Sequence, residues 1–203
     1  MADTFQVKTN GLNSIHLSGK VVDVSAQENG TRRVTISVNT KKSGNGKFNI
    51  NCKVPDGPKV PVKDEFIHVF GNLRYSEDKQ TYKVIASNFS YIGDSEINLV
   101  YLEMTLLDRP NANPDGSYNL TMSGFNISKV GQVFTLPIVV VISKQQYMEL
   151  FRMLRKYSRY FIEGSIYKDG KELKVSALHI KSADGIMFDI PINPTEVTNE
   201  TND

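Results

Sequence analysis

The chain has 203 residues, 39% of them hydrophobic and 23% charged, with a formal net charge of +2. That is enough chain for one large domain or two small ones, and no run approaches the roughly 18 apolar residues of a membrane helix. The single cysteine, Cys52, excludes an intramolecular disulfide and a cysteine-based zinc site. The opening MADTFQVKTNGL has no apolar h-region, so no secretory signal is expected. The charge is unevenly placed. Residues 1–93 carry thirteen Lys/Arg against eight Asp/Glu, residues 94–182 eleven against nine, and residues 183–203 none against five. A basic body with an acidic end points to a polyanion-binding protein with an acidic tail; short polar ends are also commonly acidic by chance.

SIHLSGKVVDVSA reads as a first strand, with Gly19 as a bulge or bend. ENGT is a turn. RRVTISVNT alternates Val34, Ile36 and Val38 against Arg33, Thr35 and Ser37. KFNINCKV alternates Phe48, Ile50, Cys52 and Val54 against Lys47, Asn49, Asn51 and Lys53. Two strands joined by KKSGNG read as a β-hairpin with a basic tip. Gly46-Lys47 is followed by Phe48 instead of a hydroxyl residue, and a strand instead of a helix follows, so the tip is not a mononucleotide phosphate loop. It is either a solvated hairpin loop or a loop that wraps the backbone of a nucleic acid. PDGPKVPVKD, with three prolines, must be a connection. EFIHVFGNLRY and TYKVIASNFSYI, joined by SEDKQ, complete five strands, the pattern of a small closed or nearly closed barrel.

The second half repeats the plan. INLVYLEMTLL is a strand, RPNANPDGS a long turn, and YNLTMSGFNI and QVFTLPIVVVI are strands. SKQQYMELFRMLRKY is the one clear helix. Ser143 serves as N-cap, Tyr147, Leu150, Phe151 and Leu154 form an apolar stripe, and Arg155 and Lys156 sit near the end where the dipole favours them. YFIEGSIYK and ELKVSALHI finish as strands. KVIASNF echoes KVSALHI, and VFGNL echoes IEGSI with Gly71 opposite Gly164. A repeat of about 90 residues means two copies of one domain. The expected division is 1–93, 94–183 and an acidic tail over 184–203, polar enough to be disordered.

Five strands, with a helix in one copy between the third and fourth, is the OB-fold order. VFGNLRYSEDKQTYKVIASNF resembles the last hairpin of the single-stranded DNA-binding protein family. IHLSGKVVDVSAQENGTRRVTISVNTKK resembles the opening of that domain. The resemblance covers residues 15 to 92 by motif and 97 to 181 by fold pattern. The chain departs from it in having no tryptophan, in having two domains, and in a tail that does not end on an apolar residue. The resemblance implies a mainly β protein of two tandem five-stranded OB-fold barrels, the second with one α-helix. It implies sequence-tolerant binding of single-stranded DNA in replication, recombination or repair, in the cytoplasm of a bacterium or an infected host cell. The acidic tail would compete with DNA for the basic groove or recruit replication or recombination proteins. An abundance of Asn, Lys and Ile fits an AT-rich phage or mobile element.

Sequence-tolerant capture of a single strand needs a positive groove for phosphates and flat side chains for bases. On the fourth strand Ile67, Val69, Gly71 and Leu73 alternate as the core face, which puts His68, Phe70, Asn72 and Arg74 outward. Phe70 is then a stacking ring, or it packs against the second domain or a partner subunit. The hairpin tip interleaves base and tyrosine: Arg74, Tyr75, Lys79, Tyr82 and Lys83. Arg32, Arg33, Lys41, Lys42, Lys47 and Lys53 are placed to contact phosphates and make binding salt-sensitive. In the second copy Phe161, Glu163, Ser165 and Tyr167 face outward, and VFTLPIVVVI points to packing more than binding. Nothing suggests catalysis: His16, His68 and His179 are scattered, no nucleophile elbow exists, and Cys52 lies on a core face. No enzyme activity, metal, cofactor or membrane is expected. The rival reading is an assembly module of a larger complex, which would bury Phe70 and Tyr82 in an interface. RNA binding is a third, because the sequence does not show whether a 2′-hydroxyl would be accepted.

Overall fold

The computed structural model describes residues 12–25, 30–40, 46–57, 59–91, 95–127 and 133–183. The alternating stretches form strands β1 (Asn13–Val24), β2 (Thr31–Asn39), β3 (Lys47–Pro55), β4 (Phe66–Ser76) and β5 (Thr81–Tyr91). Burial follows the two-residue period: along β3, Phe48, Ile50, Cys52 and Val54 are buried while Lys47, Asn49, Asn51 and Lys53 are exposed. β1 pairs with β2, β2 with β3, β5 with β4 and β4 with β1, all antiparallel. A parallel contact between β3 and β5 closes the circuit into a five-stranded, OB-like barrel. Ile15, Leu17, Val34, Ile36, Val69 and Val84 fill it. Cys52 is fully buried there, and burial pushes its thiol up to about 12, so it is inert as a nucleophile.

The remaining elements are β6 (Asn98–Leu106), β7 (Asn111–Ala112), β8 (Tyr118–Ile127), β9 (Val133–Ile142), α1 (Lys144–Leu150), β10 (Arg159–Asp169) and β11 (Glu172–Ser182). They trace a second circuit of pairings: β6 with β10, β10 with β11, β11 with β9 in parallel, β9 with β8, and β8 back to β6. Registers recur between the circuits. The parallel contact Asn51↔Lys83 has its counterpart in Val139↔Lys174. The register of β4 with β5 shifts between Phe70 and Gly71, and that of β10 with β11 between Glu163 and Gly164. Both glycines are required by close approach: a Cβ on Gly71 would lie 2.2 Å from the Ile85 carbonyl oxygen, and one on Gly164 2.4 Å from that of Ser176. Two asparagines also act alike. The Asn13 amide donates to the Leu73 carbonyl (2.8 Å) and accepts from the Leu73 N–H (3.0 Å). The Asn98 amide does the same with Ile166 (2.8 and 2.9 Å). Each side chain satisfies backbone groups of a strand beyond the reach of the ladder.

The two circuits share a seam. β1 pairs antiparallel with β6 from Asn13↔Leu102 to Leu17↔Asn98, with Ile15↔Val100 at the centre. β5-β4-β1-β6-β10-β11 is therefore one continuous stretch of sheet.

Two local expectations are corrected. The helix spans seven residues, not the whole of 143–157. Ser143 caps it with a capping box closed by Gln146. Beyond Leu150 the chain turns, because the buried Tyr160 hydroxyl accepts from the Arg155 N–H and donates to the Met153 carbonyl, both at 2.7 Å. Tyr157 then takes φ 69, so Arg155 and Lys156 lie past the helix and do not complement its dipole. The irregularity expected at Gly19 falls between Val21 and Asp23. Gly19 is instead a point of close approach, where a Cβ would lie 2.4 Å from the Ser37 carbonyl oxygen. Among the described residues no helix is long and apolar enough to cross a membrane.

Candidate nucleic-acid interface

The outward positions of β2, β3, β5 and β4 gather positive charge. Arg33 on β2 stands directly opposite Lys53 on β3, and Arg74 on β4 directly opposite Lys83 on β5. The parallel contact of β3 with β5 sets the pairs side by side. Like charges directly opposed across a sheet destabilise it. Among the described residues none of these four cations is paired with a carboxylate. The sheet thus carries a strip of four unneutralised cations whose mutual repulsion a bound polyanion would relieve.

One end of the strip opens into a cleft of about 900 Å³, between the β4–β5 hairpin and the start of β9. Lys53, Arg74, Tyr75 and Lys83 line it from one side, and Phe134 and Thr135 from the other. The Arg74 guanidinium lies over the Phe134 ring, 4.2 Å from its centroid. Its Nε is buried and has no hydrogen-bond partner among the described residues, a donor left unspent beside the cleft. The hairpin is tied to β9 at two further points. Thr135 Oγ1 donates to Glu77 Oε1 (3.0 Å), and the Tyr82 hydroxyl donates to the Pro137 carbonyl (2.5 Å). Tyr82 also packs on Tyr75, ring centroids 4.9 Å apart. Burial first, then Tyr75 and Glu172, push the Tyr82 phenol up to about 12. The arrangement suits an anionic, aromatic ligand: cations for phosphates, and flat groups on both walls for bases.

The other predicted residues are spread more widely. Arg32 is held by Asp56, Nε to Oδ1 3.0 Å, so its charge is already partnered. Lys47 and Lys79 are exposed. Lys41 and Lys42 lie outside the described residues, as does the tail 184–203. His68, Phe70, Asn72 and Arg74 alternate with the buried Ile67, Val69, Gly71 and Leu73 along β4, but His68 and Phe70 do not line the cleft that Arg74 lines. His16 stacks on His68 (5.6 Å) and packs on Phe70 (4.6 Å), with Tyr101 edge-on at 6.4 Å. That cluster lies on the continuous sheet of β4, β1 and β6, whereas Arg74 belongs to the cleft. The register shift beside Gly71 places its extra residue, Ser87, on β5 and leaves the alternation of β4 intact. Phe70 is 40% exposed. Burial, and next the neighbouring His16, hold the His68 imidazole below its ordinary pKa. Tyr82, expected on nucleic acid, spends its hydroxyl proton on Pro137, inside the contact between the two circuits. Sequence reasoning missed Phe134, Thr135, His16 and Tyr101. No pattern within β9 marks Phe134, because its role comes from a hairpin far away in the chain.

A second cleft, of about 1110 Å³, lies between the start of β3, the β7–β8 hairpin and the β10–β11 hairpin. Lys47, Asn49, Asn119, Tyr167, Lys168 and Lys174 are among its lining. Here Lys174 is neutralised, with Nζ 2.7 Å from Asp169 and 3.7 Å from Glu172. Its pKa is raised, chiefly by the hydrogen bond to Asp169. Among the described residues no group of three or more His, Cys, Asp or Glu is placed to hold a metal ion.

No family model and no curated protein matches the sequence. The fold does have solved counterparts. The chain is similar to the wild-type single-stranded DNA-binding protein from Thermus aquaticus, at 17% identity and a TM-score of 0.61, over 92% of this chain and 99% of that one. A deletion mutant of the same protein aligns at 17% identity and a TM-score of 0.63, over 90% and 98%. At this identity the likeness is one of fold, and it extends over both circuits of strands.

Proposed function

We propose that the chain is a tandem OB-fold protein that captures single-stranded DNA without strong sequence preference. Residues 1–93 form the first copy and 94–183 the second. The observation that carries this reading is the pair of directly opposed like-charge couples, Arg33/Lys53 and Arg74/Lys83, running into a cleft walled by Tyr75 and Phe134. Phosphates neutralise the couples. Bases lie against the rings, and each stack is worth roughly 1–3 kcal/mol. None of these contacts distinguishes one base from another, because the lysines and arginines meet the backbone and every base has a face to stack. The protein acts by binding, not by catalysis, and covers exposed strands during replication, recombination or repair. The five acidic residues of 183–203 compete for the strip or recruit replication or recombination proteins.

The fold shared with the Thermus aquaticus protein supports the reading. Tyr82 does not favour the rival assembly-module reading, since the interface that takes it lies within the chain. The test is fluorescence anisotropy of labelled oligo-dT, oligo-U and a matched duplex across a salt series. The expected result is tight binding of oligo-dT, weak duplex binding, and a log–log salt slope near −2.8, from four phosphate contacts at about 0.7 each. No binding of oligo-dT at low salt overturns the reading. Preference for oligo-U transfers the site to RNA.

A further inference from the structure

We propose that the strand's track does not end in the first cleft. It continues along the outer face of β3 into the second cleft, where Lys47, Lys168 and Tyr167 hold a further stretch of the same single strand. The inference rests on the single-stranded DNA reading above.

β3 lines both clefts, Lys53 the first and Lys47 the second. The six residue steps between them span about 20 Å at roughly 3.3 Å per residue. The outward residues on that path are Asn49 and Asn51, both exposed and both neutral. Asn51 accepts a hydrogen bond from Thr35 through its oxygen (2.8 Å), which leaves its amide donors for a ligand. No carboxylate and no bulky ring interrupts this face of the strand, so a polyanion crosses it without repulsion.

The far end holds two more cations, one from each half of the chain. Lys47 begins β3 and Lys168 belongs to the β10–β11 hairpin; both are exposed, and among the described residues neither is paired with a carboxylate. Tyr167 sits beside Lys168, half-buried. Lys174 adds little, because Asp169 and Glu172 already hold it. The second cleft therefore offers two lysines and a ring beside the carboxylates of Asp115 and Asp169, against three cations and two rings in the first. It extends a bound strand instead of capturing one by itself. A strand long enough to reach it bridges both halves.

The test uses the full chain with Lys47→Ala and Lys168→Ala combined, against oligo-dT of about 5 and about 20 nucleotides, within and beyond the span of one OB site. The short oligomer is read by competition. The expected result is an affinity within about twofold for the short oligomer, and a loss of about tenfold for the long one with a salt slope shallower by about 1.4. Tyr167→Leu should weaken the long oligomer alone while leaving that slope unchanged. Undiminished binding of the long oligomer by the double variant overturns the proposal. An equal loss on both lengths also overturns it, since the lysines would then belong to the first site. If the unaltered protein binds neither length, the underlying DNA reading falls, and this one with it.

Discussion

The two clefts are framed by the same ladder and dressed with different side chains. In the first, the outward positions facing each other are Arg33 with Lys53 and Arg74 with Lys83. The matching places in the second are Asn119 with Val141 and Tyr167 with Lys174. Inward, the counterparts hardly differ: Cys52 and Val84 meet in the first parallel contact, Val140 and Val175 in the second, and all four are buried. Core positions are held by packing, while outward positions are free to change without cost to the barrel. The difference between a strongly cationic strip and a nearly neutral one is therefore written mostly on residues outside the core.

The comparison is broken most directly by erasing the first strip. Replacing Arg33, Lys53, Arg74 and Lys83 together by Gln should weaken oligo-dT binding by about 100-fold or more at low salt and flatten the salt slope by about 2.8. Thermal stability should hold or rise slightly as the opposed charges go. Retained affinity would mean that the strip is not what distinguishes the halves. Next come the paired glycines. Gly71→Ala and Gly164→Ala each force a Cβ against a carbonyl oxygen, at an expected cost of about 3 kcal/mol in denaturant unfolding. A variant that unfolds like the parent would show that the two bulges are not equivalent.

A smaller effect is expected where the halves are tied together. Tyr82→Phe leaves the Pro137 carbonyl without its partner, for a loss of about 1 kcal/mol. The pH dependence follows from the raised phenol. A group whose pKa is higher when folded contributes fully below its unfolded value and loses that contribution as pH rises through the folded one. The parent should thus lose stability between about pH 10 and the raised value near 12, and Tyr82→Phe should lose less over that window. The smallest change makes the second cleft more like the first. Asp169→Asn removes the closest partner of Lys174. Binding of the long oligo-dT should tighten by about twofold to fivefold, and its salt slope should steepen by about 0.7, the mark of one added phosphate contact.

Strand positions were legible because each strand buries one face, and alternation records that directly, as in Lys47–Pro55. Gly71 and Gly164 were legible as a pair because each needs a residue without a Cβ at the same turn of the ladder. The basic positions on β3, β4 and β5 were legible for the converse reason, since outward charge stands out against inward hydrophobes. What stayed hidden depends on contacts between segments distant in the chain. Asn13 and Asn98 look like ordinary strand polars until Leu73 and Ile166 arrive beside them. Phe134 reads as packing until Arg74 lies across it. The helix stops early because of Tyr160, outside its own pattern. His68 and Phe70 keep the outward register read from the sequence, but the histidine and tyrosine they pack with, His16 and Tyr101, come from β1 and β6.

The seam between β1 and β6 bears on the order in which the chain is made. When the ribosome has delivered residues up to β5, the first barrel can close, but residues 13–17 of β1 still lack the partner that β6 will supply. Until then they are a bare edge of the kind that recruits other strands. The β6 register is symmetric about Ile15↔Val100, with an asparagine near one end of each strand, Asn13 or Asn98, and a leucine four residues on, Leu17 or Leu102. A second copy of β1 could take the place of β6 with Ile15 facing Ile15. A chain cut short before residue 98 should therefore pair with its own kind, which its elution on size-exclusion chromatography would show.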